Sequence, residues 1–536
     1  MNQVLTFSRR EGFIYVTAAV ASILLSLWIA CRESVINPDA ICYLLSAQAV
    51  GSTGIRGAMN LCGQASWPFY SALIYGFARI SQFSYTASAY LLDGIFSCIS
   101  VTAFILIVKE LGATRRVMWL AALVILCSHE FISTREYIVR DHGFWAFYLV
   151  SLFFMLRYAQ RPKWITALAW SASLLTATLF RIEGAFFLLA LPFVSWFVSS
   201  NSLRQRTIHF CLLNLLTVFI CTVIAGWLML HPAQTLDKLG RVAEVTTQLQ
   251  HGVAMMSERY LDMKAALTQH VLTTDSTRDA GVVLVLLMLA WYTVTVIGNL
   301  SWVYALLVLY AWTEPKRKRA INETLKANPP LPLAGEGWGE GVRKEKSLVL
   351  TAYVLINIII TFGFLTEHLF LSKRYLIALS LTLMLWVPFA LNDLIEKSAS
   401  LRHRTLLWLA ALYMTVAAIT GIVDFGYSKA YIRQAGDWLA ANSPANAAIY
   451  ANDYQLMYYS RHFGFDIFTK AKSYTHISAI AHDQWKQYDY LALRLNKREE
   501  GETAAILREI NLSPVRVFSN KRGDRVAIYR VLREEK

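Results

Sequence analysis

Residues 12–31, GFIYVTAAVASILLSLWIAC, followed by Arg32, Glu33 and then Asn37-Pro38-Asp39, decide the fold. An uncharged run of that length is about 30 Å long as a helix, enough to cross the hydrocarbon core of a bilayer. It is too long, and lacks the small-residue cleavage site, to be a removable signal peptide, so it reads as an anchor that stays. The chain then leaves it into acid. Asn37 as a helix cap, Pro38 in the first turn and Asp39 favouring the helix dipole is the plain reading. A carboxylate positioned as a general base at the membrane surface is the chemical one.

Composition agrees with a membrane chain. Of 536 residues, 56% are hydrophobic and 16% charged, and the mean hydropathy is +0.41, a balance that soluble domains do not carry. The net charge of +15 then reflects orientation and anionic headgroups, so nucleic acid is not an expected partner. The seven cysteines show no metal spacing. Cys31, Cys98, Cys127, Cys211 and Cys221 lie in or beside apolar runs as small core residues. Cys42 and Cys62 share the first loop and pair if that face is oxidising.

Eleven spans are expected, near 12–31, 86–108, 117–133, 142–158, 164–180, 183–200, 208–230, 281–311, 348–365, 375–393 and 405–424. The eighth is long enough to project or tilt. With the N-terminus in the cytoplasm, Arg9 and Arg10, Lys109, Arg115 and Arg116, Arg157, Arg161 and Lys163, Arg204 and Arg206, the basic 313–347 segment, and Lys397, Arg402 and Arg404 all fall inside, as the positive-inside rule requires. Long loops 32–85 and 231–280 then face outward, as does the tail. Leu236, Leu239, Val242, Val245 and Leu249 recur at helical spacing, which suits an amphipathic helix on the outer leaflet or one packed on the protein. The loop 313–347 combines Pro315-Lys316-Arg317-Lys318-Arg319 with a Pro/Gly-rich stretch and reads as a flexible cytoplasmic insertion. It resembles a translated repetitive DNA element of bacterial genomes.

The expected organisation is therefore a transmembrane domain over 1–427 and a small extracytoplasmic α/β domain over 428–536. In the latter, Ala430–Ala441 and Glu500–Ile510 read as helices, Ala448–Tyr450 and Tyr488–Leu495 as strands. Val515–Phe518 and Val526–Val531 read as a hairpin. Tyr458, Tyr459 and His462 are of types that contact sugars, and equally the aromatics of a buried strand or helix.

Against the orientation rule, three outward junctions carry cations: Arg135-Glu136-Tyr137-Ile138-Val139-Arg140-Asp141-His142, Arg181-Ile182-Glu183-Gly184 and Ser372-Lys373-Arg374-Tyr375. An anionic lipid phosphate is the natural ligand, since Arg binds phosphate oxygens bidentately and Lys supplies a point charge. Asp39 and Asp141 are the candidate bases, although Asp141 also suits an N-cap paired with Arg140. Arg140, Arg181, Lys373 and Arg374 are the candidate phosphate ligands. Arg135, Tyr43, Glu183 and His142 are further candidates. His142, His368 and Glu367 are of types that bind a divalent metal, without regular ligand spacing, and no cofactor is demanded.

With these residues in view, residues 10–425 resemble the GT-C superfamily of polyprenyl-phosphate-dependent glycosyltransferases. Within it, the likeness is to the bacterial glycosyltransferase family 39 type, akin to protein O-mannosyltransferases and the lipid A aminoarabinose transferase. The resemblance rests on Pro38-Asp39 with Tyr43, Ser66-Trp67-Pro68-Phe69-Tyr70 before a helix, Arg140-Asp141, Arg181-Ile182-Glu183-Gly184 and Lys373-Arg374-Tyr375. It implies a catalytic aspartate at Asp39, an acid at Asp141 and a lipid-phosphate site at Lys373-Arg374. Ala40 departs from the Asp-Glu pair of many relatives and leaves Asp39 as the only acid there.

The expectation is an inverting glycosyltransferase of a bacterial inner membrane. It would move a sugar from a polyprenyl-phosphate donor to a lipid, glycan or protein acceptor on the outer face, with membrane lipids as its other partners. A flippase of lipid-linked sugars, or a non-catalytic envelope-assembly protein on the same scaffold, are the alternatives.

Overall fold

In a bilayer every backbone N–H and C=O needs an internal partner, so apolar runs of this length fold as helices. The computed structural model describes residues 9–197, 202–231, 240–313, 340–423, 425–474, 480–496, 507–508 and 510–531. Among them six helices are long and apolar enough to cross a membrane: Glu11–Arg32, Tyr85–Glu110, Leu203–Leu230, Asp275–Leu300, Glu345–His368 and Leu401–Ile422. Two bent pairs raise the number to eight if each is one span. These are Arg115–Leu126 with His129–Glu136, bent by 57°, and Lys373–Met384 with Val387–Glu396, bent by 40°. The protein is a mostly helical, multi-pass membrane protein with a small sheet near its C-terminus.

The expected eleven spans are not what forms. Trp164–Phe180 has 17 residues, about 26 Å of helix, which falls short of the hydrocarbon thickness. The run at 183–200 becomes a helix Glu183–Ala190 that tightens into a 3₁₀ segment Leu191–Phe197 at Pro192, which has no N–H to give. Asp141–Gln160 carries Asp141, His142 and Arg157 and is not apolar enough. The long run at 281–311 divides into Ala280–Leu300 and Trp302–Thr313 at Ser301, whose φ is 75°. The proposed insertion at 313–347 falls mainly outside the described residues.

The chain forms two compact units. One comprises Met1–Leu25, Gly94–Thr134 and Arg140–Ile422; the other comprises Ser26–Asp93, Arg135–Val139 and Val423–Lys536. The first loop therefore groups with the tail, which enters this unit at Val423.

The larger unit holds its helices together with buried polar side chains. Asn357 Nδ2 donates to the Tyr148 hydroxyl (2.6 Å), which in turn meets Thr382 Oγ1 (2.7 Å). Trp170 Nε1 donates to the Tyr353 hydroxyl (3.2 Å). Small residues and such bonds supply association energy where apolar burial cannot, because lipid is as apolar as the helix surface. The expected amphipathic helix is Arg241–His270, although Leu236 and Leu239 lie outside the described residues. One face packs on the protein, where the Tyr260 hydroxyl donates to the Gly281 carbonyl (3.4 Å). Val253 and Leu261 remain exposed.

In the smaller unit the first loop is itself helical. Pro38–Met59, with a break at Gly54 (φ 77°), leads through a turn at Gly63–Ala65 to Phe69–Ser81. Cys42 and Cys62 are bonded, with their Cα atoms 6.1 Å apart, inside the range that disulfides need. The tail contributes the helix Ala430–Asn442 and four strands: β1 (Ile449–Ala451), β2 (Tyr490–Leu495), β3 (Arg516–Ser519) and β4 (Arg525–Arg530). Their order is β1-β2-β4-β3. β1 lies parallel to β2, with Tyr450 opposite Leu491, and β4 runs antiparallel to both β2 and β3. Tyr450, Trp485, Leu491, Leu493 and Tyr529 form the core of this sheet. The hairpin forms as the turn residues dictate, while most of the helix expected at Glu500–Ile510 lies outside the described residues. Gln455 of the tail donates to the Ile36 carbonyl (2.6 Å), and the Ile36 N–H donates to the Tyr459 hydroxyl (2.9 Å).

The disulfide spans 20 residues, for which loop closure is worth about 3 kcal/mol. Denaturant unfolding of a Cys62→Ser variant in detergent should show a loss of about that size. Cys42 and Cys62 should resist alkylation in the folded wild type and react after reduction.

Candidate functional site

The residues singled out from the sequence divide between the two compact units. The cluster in the larger unit is built on a tight turn. Helix Trp164–Phe180 ends at Arg181 and helix Glu183–Ala190 begins two residues later. Two glycines make this packing possible. A Cβ on Gly184 would meet the Thr178 backbone nitrogen at 2.6 Å, and one on Gly143 would meet the Phe180 ring at 2.3 Å.

Arg181, only 8% exposed, is a fork with every tine occupied. Its Nη1 donates to Asp141 Oδ1. Its Nε donates to Glu183 Oε1 at 3.0 Å, and its Nη2 reaches the same oxygen. The guanidinium lies over the Tyr375 ring, 4.5 Å from the centroid, with Arg374 at 5.3 Å from the same ring. Asp141 stands at the first residue of its helix, ahead of the apolar run 142–158. Burial would push its carboxyl up, yet Arg181, Arg374 and Arg140 outweigh that and hold it below the ordinary carboxylate range. Three guanidinium groups thus act on Asp141, and two of them, Arg181 and Arg140, act on Glu183 as well. Beside it, a cavity of about 520 Å³ is lined by Ile182 and by Ala243, Glu244, Thr247 and Gln248 of helix Arg241–His270.

Lys373 and Arg374 differ in their settings. Lys373 is exposed and its Nζ pairs with Glu130 Oε1 at 2.5 Å. The Lys373 carbonyl accepts from Asn299 Nδ2 (2.7 Å), and Ser380 Oγ donates to Asn299 Oδ1 (2.6 Å), so the turn is tied down from two helices. His142 is buried, with Nε2 3.1 Å from the Thr134 carbonyl. His368 stacks on Phe364 with centroids 4.2 Å apart and lies 3.9 Å from Glu367. Among the described residues no group of three or more His, Cys, Asp and Glu side chains is placed to hold a metal ion.

In the smaller unit, Asp39 lies in the first turn of Pro38–Met59, with Pro38 at its start. Asn37 does not cap this helix. Its Oδ1 accepts from the Ile138 N–H (2.9 Å) and its Nδ2 donates to the Ile138 carbonyl (3.5 Å). Asp39 is half-buried, and its Oδ1 accepts from Gln64 Nε2 at 2.9 Å. Gln64 follows Cys62 by two residues, so the disulfide to Cys42 keeps it near the acid. Tyr43, one helical turn beyond Asp39, is buried edge-to-face on Tyr70 (5.2 Å), whose hydroxyl donates to Asp93 (2.7 Å). Arg135 is buried, and its Nη1 donates to Ser26 Oγ (2.5 Å), which ties a loop to a helix end.

Sequence reasoning named Arg140, Asp141, Arg181, Glu183, Lys373 and Arg374, and the structure places all of them in the larger unit. It missed Gln64, Glu130 and Asn299. Only Asn299 had a visible signal, being an amide inside an apolar run, where polar side chains have a task. No protein-family model matches this sequence, and no curated protein matches it.

Removing one partner of a buried ion pair costs about 3–5 kcal/mol because the remaining charge is stranded. Arg181→Ala, which strands two carboxylates, should lose at least that much. The pH dependence has a defined sign. A depressed Asp141 pKa contributes stability that is complete above the unfolded value of about 4 and fades as the pH falls through the folded value. Wild-type thermal unfolding should therefore weaken only below about pH 4. In Arg181→Ala burial acts on Asp141 with less opposition, so the variant's deficit should shrink as the pH falls. A deficit independent of pH would remove Asp141 from Arg181's influence.

Proposed function

We propose that this protein is an inverting glycosyltransferase of a bacterial inner membrane. It takes a sugar from a polyprenyl-phosphate donor and gives it to a lipid, glycan or protein acceptor of the cell envelope. In this reading the N-terminus is cytoplasmic, and the first loop and the tail face away from the cytoplasm, as the basic loops favour. The observation that carries it is the Arg181 turn. Three arginines converge there on a mostly apolar helical scaffold, and guanidinium groups are what would hold the phosphate of an anionic lipid headgroup. The resemblance of Pro38-Asp39, Arg140-Asp141 and Lys373-Arg374-Tyr375 to GT-C enzymes points the same way.

The reaction needs a base and a stabiliser of the leaving group. An acceptor hydroxyl attacks the anomeric carbon from the face opposite the phosphate. Its oxygen forms the new C–O bond while its proton passes to a carboxylate, the role that the likeness to GT-C enzymes gives to Asp39, and the C–O bond to phosphate breaks with its electron pair on the departing oxygen. Arg374, Arg140 and Lys373 bind that phosphate, and their attraction strengthens as its charge grows. Arg181 acts through its neighbours by fixing Tyr375, against which Arg374 lies. Asp141, ionised and committed to Arg181, suits orientation better than proton transfer.

Asp39→Asn should lower the transfer rate about 10²–10⁴-fold, the range for loss of a general base. This is measured in proteoliposomes with a radiolabelled polyprenyl-phosphate hexose and an envelope extract as acceptor. A near wild-type rate would remove Asp39 as the base. Arg374→Ala should raise the donor KM more than it lowers kcat, since it loses ground-state phosphate binding as well. Movement of the labelled lipid across the bilayer with no transfer would favour a flippase instead.

A further inference from the structure

A cavity of about 1040 Å³ lies wholly within the smaller unit. That is at the upper end of small-molecule sites. Its wall has two characters. Leu27 and Ala30, from the last turns of the first candidate span, and Leu91, from the opening turns of the next, continue a lipid-like surface into it. Val35, Leu45 and Met457 extend that apolar side.

The rest of the lining is polar and aromatic. Glu33 and Asp437 bring carboxylates, Arg433 and Arg461 bring cations, and Tyr458 and Tyr459 bring rings. The two tyrosines pack edge-to-face on one another, with centroids 5.4 Å apart. Burial pushes both phenols up, and they stay neutral. Tyr459 is fixed in place by the Ile36 N–H, and Arg433 lies 5.6 Å from its ring centroid. Arg433 is held on one side by Asp437 (3.5 Å) and donates to the Ser34 carbonyl on the other (3.4 Å).

These features select a ligand class. A purely apolar ligand would take this polar lining out of water and offer it no hydrogen bonds in return. A free sugar would leave the Leu27–Leu91 side unused. A molecule with a hydroxyl-rich ring and an attached hydrocarbon chain satisfies both. Its hydroxyls donate to carboxylates and accept from guanidinium groups, its ring faces pack on tyrosine, and its chain lies along the ends of the two helices. We infer that this cavity binds a glycosylated amphiphile, with the sugar against Tyr458 and Tyr459 and the chain against Leu27 and Leu91. Calling that molecule the acceptor of the reaction rests on the transferase reading; its binding does not.

The test uses the full chain in nanodiscs of phosphatidylethanolamine and phosphatidylglycerol. The probe is an alkyl β-maltoside carrying a diazirine on its alkyl chain. After irradiation, the labelled residues should fall within 26–36, 83–91 and 454–467, and unlabelled alkyl maltoside should compete. Ala87→Trp, which fills the cavity from a helix start, should reduce labelling at least about tenfold, and Tyr458→Ala should weaken it several-fold. Arg433→Gln, on an exposed helix face, serves as the variant least able to disturb folding and should also weaken labelling. Label confined to other segments, or label in the cavity that none of the three variants alters, overturns the inference. The two readings separate in the same samples. Labelling of the cavity without sugar transfer to any maltoside or envelope lipid leaves the binding site standing and counts against the transferase. Transfer to the maltoside while the label avoids the cavity removes the site and leaves the transferase.

Discussion

The ion pairs between Arg181 and its two carboxylates constrain the larger unit. A guanidinium this deeply buried must have its charge and its donors satisfied together, and here Asp141 and Glu183 satisfy both. Two short helices have to meet at a sharp turn to bring Glu183 within reach, which is why Gly184 lies against Thr178 and Gly143 against Phe180. The Tyr375 ring covers the open face of the fork, and the 3₁₀ turn that carries it, Lys373–Leu376, is tied to Asn299. One buried cation therefore specifies the meeting of three otherwise separate stretches of chain.

Much of the fold was legible because a long uncharged run has one satisfactory fate in lipid. The segments 12–31, 86–108, 208–230, 348–365 and 405–424 all became single helices for that reason. Hydropathy could not see what broke the others. Ser301 adopts a positive φ and Pro192 withholds a hydrogen bond, and these are backbone events inside sequences that remain apolar. The tail was legible for a different reason. Its hairpin is punctuated by Lys521-Arg522-Gly523-Asp524, and Gly523 indeed turns with φ 100°.

The candidate site was half visible. Arg140, Arg181, Lys373 and Arg374 stood out because cations at those junctions contradict the distribution of the rest. Their counterparts did not stand out. Glu130 lies 243 residues from Lys373 and Gln64 lies 25 from Asp39, and pairing at such separations leaves no period or spacing to read. Asn37 was misread for a related reason: a residue well suited to a local cap was recruited by a distant peptide group.

That recruitment has a consequence for how Asn37-Pro38 can vary. An amide side chain is the same chemical unit as a peptide bond, so Asn37 faces Ile138 as a neighbouring strand residue would, giving and receiving at one place. Aspartate and serine, its ordinary substitutes before a helix, match it as caps but cannot do this. Aspartate lacks the donor, and serine lacks the reach to make both bonds. The position is therefore open to exchange by the rules of helix starts and closed to it by the rules of strand pairing. A chain drifting in sequence here would keep its helix and lose the alignment of segment 135–139, an error that local propensity would never reveal.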